Sequence, residues 1–86
     1  MLTYTTTVAN ETGVHLRPAG EVADALLPLD CKASIVKNGR SYDAKSIMMI
    51  TSANLKYGTE VELICDGPEE EKAMALLKNL IESQES

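Results

Sequence analysis

The sequence predicts an α+β fold, an open-faced sandwich of element order βαββαβα in which three helices cover one face of a four-stranded, mainly antiparallel sheet. Three observations carry this. Strict two-residue alternation marks strands near both ends of the chain, an Asn-Gly pair sits between two strand-like runs, and two segments repeat apolar residues at helical spacing. No linker, low-complexity tract or internal repeat interrupts the pattern, so residues 1–86 read as one domain.

Leu2 to Val8 sets Leu2, Tyr4, Thr6 and Val8 against Thr3, Thr5 and Thr7, a half-buried strand rich in β-branched residues. Asn10 to Gly13 follows as a loop. From Leu16 the apolar positions Ala19, Val22, Ala23 and Leu26 recur at helical spacing, and Pro28 ends the helix because it excludes helical geometry from the residue before it. Cys31 to Lys37 and Arg40 to Asp43 flank Asn38-Gly39, where a type I′ turn needs positive φ at both central positions, so they form a hairpin. Ser46 is placed to cap a short helix over Ile47 to Ser52. Lys56 to Thr59 turns into a strand over Glu60 to Cys65, with Val61, Leu63 and Cys65 on one face. After Asp66-Gly67-Pro68 the last helix carries Glu69, Glu70 and Glu71 in its first turn, with Ala73, Leu76, Leu77, Leu80 and Ile81 as its buried stripe.

Composition narrows the function. Eighty-six residues support one core but not an enclosed substrate cavity beside it. A net charge of −5 and a pI near 4.7 argue against sequence-independent nucleic-acid binding and against anionic membrane surfaces. The lack of Phe and Trp removes the usual base-stacking platforms. No apolar run approaches the ~20 residues of a membrane span, and Met1-Leu2-Thr3-Tyr4 lacks the basic-then-apolar start of a secretory signal, so a cytoplasmic location is expected. Cys31 and Cys65 fall in separate strands as small core or near-core hydrophobes; no metal site or cofactor is expected.

The chemistry concentrates in Gly13-Val14-His15-Leu16-Arg17-Pro18, which holds the only histidine and one of two arginines at a helix start. The first turn of a helix exposes N–H groups and a partial positive charge, so a guanidinium there calls for an anion, and phosphate fits. An imidazole two residues away supplies a nucleophile for a phosphoryl group. Taken alone, such a histidine reads as a surface or capping residue, and Arg17 reads as the partner of Glu21 four residues on.

Four segments at matching spacing settle the choice: Gly13 to Ala19, Asn38-Gly39-Arg40, Ala44-Lys45-Ser46-Ile47-Met48, and Lys56 to Val61. With them the whole chain resembles the HPr family, the histidine-containing phosphocarriers of the bacterial sugar phosphotransferase system. The resemblance implies sheet order 1-4-2-3. It also implies a phosphocarrier, not an enzyme, that needs no cofactor. Enzyme I would phosphorylate His15 on Nδ1, and sugar-specific phosphotransferase IIA components would then receive the group. Arg17 is expected to neutralise the phosphate, with the backbone N–H groups of Leu16 and Arg17 completing its cradle. In low-GC Gram-positive relatives the residue matching Ser46 is phosphorylated by HPr kinase/phosphorylase, which creates a corepressor for a catabolite-control transcription regulator. Ser46 is therefore expected to be regulatory as well as a helix cap.

Partner docking is assigned to Leu16, Gly20, Asp24 and Leu27 around the first helix and to Ile47, Met48 and Met49 on the second. Leu16 stands where the family usually has a small alanine, Asp24 and Leu27 where many members have lysines, and Met49 where glycine is frequent. These exchanges weaken attraction to acidic partner rims and shift docking toward apolar contact. Glu69 to Glu71 are read as a solvated, dipole-complementing surface without function, and Glu82 and Glu85 in the tail are likewise assigned none. A monomer is expected for a carrier that offers one face to successive partners. The alternative is an HPr-like regulatory binding module acting mainly through phospho-Ser46.

Overall fold

The structure, a computed structural model, describes residues 1–11, 13–14 and 16–82, and of Leu16 the backbone. The elements run β1 (Leu2–Thr7), α1 (Leu16–Leu26), β2 (Lys32–Lys37), β3 (Arg40–Asp43), α2 (Ile47–Ser52), β4 (Glu60–Asp66) and α3 (Glu70–Glu82). The sheet order is β1-β4-β2-β3, with β1–β4, β4–β2 and β2–β3 all antiparallel. This is the open-faced sandwich expected from the sequence.

Register follows from parity. Val61, Leu63 and Cys65 are each at most 1% exposed and stand opposite Thr6, Tyr4 and Leu2 on β1, while Leu63 and Cys65 face Ile35 and Ala33 on β2. A one-residue slip of β4 would carry this set to the open face and turn Glu60, Glu62 and Asp66 into the core, so the pairing is strongly specified. From the helical side Ala19, Ala23, Leu26, Ala73, Leu77 and Ile81 close the same core.

The turn between β2 and β3 has φ of 52° at Asn38 and 77° at Gly39, the positive pair that the Asn-Gly dipeptide predicts. Val8 lies just past β1 yet stays paired, donating to the Thr59 carbonyl and accepting from the Gly58 N–H. Cys31 precedes β2 instead of opening it, because its N–H turns back to the Leu29 carbonyl. Both cysteines are free thiols. Cys65 is buried, and that burial, reinforced by Cys31 nearby, pushes its thiol up to about 11.

On α3 the stripe is one position broader than periodicity indicates. Met74 is 5% exposed, whereas Leu76 is only half-buried against the core edge. The acidic start of α3 is also more than a solvated surface. The Glu69 carboxylate accepts the Asp30 N–H at 3.0 Å, and the Glu70 carboxylate accepts the Gly67 N–H at 3.2 Å and lies 3.1 Å from the N-terminal ammonium. These donors hold both carboxyls below the usual carboxylate range. At the other end Glu82 accepts from Tyr4 Oη at 2.9 Å and Thr6 Oγ1 at 2.7 Å, which lowers its pKa and ties α3 to the edge strand β1.

Candidate functional site

The loop that leads into α1 is shaped by one glycine. Gly13 has φ of 85°, its N–H returns to the Asn10 carbonyl at 2.8 Å, and a Cβ built on it would lie 2.8 Å from the Leu55 carbonyl oxygen. The next residue, Val14, donates to that same carbonyl at 2.9 Å. The β1–α1 loop is thus stitched to the segment that follows α2, and only a residue without a side chain allows so close an approach.

Leu16 begins α1, and Arg17 occupies its first turn with a side chain 92% exposed. No acidic residue shares that turn. The Arg17 guanidinium stands 4.0 Å from the Glu21 carboxylate, itself 73% exposed, so this contact is a solvated pair of ~0.3–0.5 kcal/mol. It leaves the guanidinium free to turn toward a stronger anion. His15 lies outside the described residues, as does the side chain of Leu16. The structure therefore places Arg17 and the backbone of Leu16 at the helix start.

Gly20 sits one turn further along α1, and a Cβ there would meet Ile47 Cδ1 at 2.9 Å. Ile47 thus rests on bare backbone and joins the two helices into one surface. The remaining docking candidates lie on these two helices or just past the end of α1. Asp24 is exposed and Leu27 58% exposed at the end of α1, while on α2 Ile47, Met48 and Met49 are 37%, 78% and 38% exposed. A six-residue helix cannot bury every side chain, and here only Ile50 is fully buried.

Ser46 precedes α2 in extended geometry, with φ −112° and ψ 115°, and its Oγ accepts the Met49 N–H at 3.3 Å. It is an N-cap. The far end of α2 has no basic residue of its own, but Lys37 of β2 reaches across so that its ammonium donates to the Ala53 carbonyl at 2.8 Å and the Asn54 carbonyl at 3.1 Å. Lys45 does the same for the turn after α1, donating to the Leu29 carbonyl at 2.7 Å. The sequence reading gave neither lysine this anchoring role. Lys37 had left a signal, since it shares inward parity with Ala33 and Ile35 and a lysine there needs an acceptor. Lys45 had left none.

Among the described residues no group of three or more His, Cys, Asp or Glu is arranged to hold a metal ion, and no helix is long and apolar enough to cross a membrane.

With this geometry in view the comparisons are specific. Residues 2–83 match the family model PTS-HPr, described as the PTS HPr component phosphorylation site. The phosphocarrier protein HPr of Treponema pallidum is 33% identical over 98% of this chain and 96% of its own length. Among solved structures, HPr from Thermoanaerobacter tengcongensis superposes with a TM-score of 0.84 at 35% identity, covering 96% of this chain and 93% of that one. Crh of Bacillus subtilis superposes at 0.71 and 30% identity over the full length of both. A match that spans nearly every residue, joined to the same sheet order and helix placement, means that the chain belongs to the HPr family of phosphotransferase-system phosphocarriers.

Proposed function

We propose that this chain is a cytoplasmic relay that accepts a phosphoryl group from phospho-enzyme I on His15 and passes it to sugar-specific phosphotransferase IIA components. The observation that carries this reading is the family match over residues 2–83, and the choice of His15 and Arg17 is supported by the resemblance of the Gly13 to Ala19 segment to that family. The neutral imidazole, with an ordinary pKa of roughly 6.5, keeps a nucleophilic nitrogen near pH 7. That nitrogen bonds to phosphorus as the donor's bond to phosphorus breaks, and the reverse exchange unloads it onto the acceptor. Arg17 turns from Glu21 to the phosphoryl oxygens, where its charge counts most as the transition state loosens. Reconstitution tests the reading. The source organism's enzyme I, a IIA-containing sugar component and this protein should yield phosphoenolpyruvate-dependent sugar phosphorylation; no sugar phosphate above the level seen without the protein would refute it.

Ser46 is proposed as a second, regulatory phosphorylation site. Its support is the Ser46-Ile47-Met48 segment, together with a cap position at which a phosphate would meet the positive end of α2. HPr kinase/phosphorylase with ATP should add one acid-stable phosphate that is lost in Ser46→Ala, and a catabolite-control transcription regulator would then be its reader. The likeness to Crh, whose crystal structure is described as a swapped dimer, favours a second reading in which regulation is the main task. His15 weighs against it, since a module that carries no phosphoryl group has no use for a histidine beside Arg17. A carrier that offers one face in turn is monomeric, which light scattering checks.

A further inference from the structure

α1 and α2 together hold three charged residues, Arg17, Glu21 and Asp24. Arg17 leans toward Glu21 at 4.0 Å, and Asp24 has no ion pair among the described residues. Lys37 and Lys45 do not compensate, because their ammonium groups are spent on the carbonyls of Ala53, Asn54 and Leu29. When Arg17 turns to a phosphoryl group, Glu21 loses its counter-ion. Two exposed carboxylates three residues apart on α1 then accompany the exposed apolar side chains of Leu27, just past α1, and of Ile47, Met48 and Met49 on α2.

From this we propose that the protein which loads His15 docks through an apolar recess edged by at least one lysine or arginine that meets Asp24, so that this relay recognises its donor with inverted rim charge. The inference rests on the relay reading above. Apolar burial supplies the contact, and the charge selects the partner, since an acidic rim would bring like charges together while a basic rim steers encounter and fixes register. Ile47 seated on Gly20 packs α2 against α1, the helix that carries Asp24.

The test is calorimetric binding of the source organism's enzyme I to the unmodified protein and to Asp24→Asn and Asp24→Lys, with phosphotransfer measured on the same proteins. Circular dichroism verifies that these exposed substitutions leave the fold intact. Asp24→Asn should weaken binding about threefold and Asp24→Lys about tenfold, with the gap narrowing as ionic strength rises. Asp24→Lys binding as tightly as the unmodified protein, or more tightly, overturns the inference while leaving the relay intact if transfer to His15 persists. Binding that weakens as described without phosphate on His15 supports the docking charge and refutes the relay. Absence of any binding by the unmodified protein refutes both.

Discussion

A methyl group at position 13 would meet a carbonyl oxygen at 2.8 Å, and the backbone there already has φ of 85°. Gly13→Ala should therefore cost about 1–3 kcal/mol, combining left-handed strain with displacement of the Leu55 segment, and chemical denaturation should register it. Loss of only a few tenths would mean that the loop is not clamped as described. Arg17 has a different kind of importance. Its single ion pair is weak and exposed, so Arg17→Ala should leave stability nearly unchanged while slowing phosphotransfer by about 10²-fold, read from single-turnover transfer. The sequence already marked both residues, Gly13 by its place before a helix and Arg17 by its charge conflict with that helix. What it could not reveal was the Leu55 carbonyl, because a close approach between segments some forty positions apart leaves no local pattern.

α2 is too short to persist by its own hydrogen bonds, since helix nucleation is unfavourable and six residues complete few turns. Its ends are therefore held from outside, Ser46 at the start and Lys37 at the finish. Lys37→Met keeps the stem and removes the donor; it should cost about 1 kcal/mol in denaturation midpoint analysis and loosen the surface that carries Ile47, Met48 and Met49. An unchanged midpoint would remove Lys37 from the account. α3 is secured through carboxylates instead. Glu69, Glu70 and Glu82 have folded pKa values below their ordinary 4.5, so their contribution is complete above that value and fades as pH falls through the lowered values. Stability should decline on acidification below about pH 4.5, and Glu82→Gln should flatten part of that decline. The cap on α2 was legible because serine before an apolar run is a local signature. The anchors of α3 were not, because Glu69 and Glu70 suited the helix dipole equally well, and the acceptor roles of Glu69 and Glu82 depend on where Asp30 and β1 come to lie.

At the scale of the whole molecule, alternation, one Asn-Gly turn, two helical periodicities and the Ser46 cap sufficed for element order, since each reports a local pattern that tertiary structure then used without conflict. The sheet order came from family resemblance, because strand neighbours are a long-range choice that periodicity does not encode. The docking set of Leu16, Gly20, Asp24, Leu27, Ile47, Met48 and Met49 was read from the family resemblance; the seat of Ile47 on Gly20, which joins the two helices, needed coordinates. The central claim is that His15 of this fold carries a phosphoryl group. The most direct measurement is intact mass after incubation with the source organism's enzyme I, phosphoenolpyruvate and magnesium, followed by acid treatment, with His15→Ala in parallel. The account predicts one added phosphate that acid removes and that His15→Ala never acquires. An unmodified mass with an enzyme I shown to be active, or a phosphate that persists in His15→Ala, would contradict it.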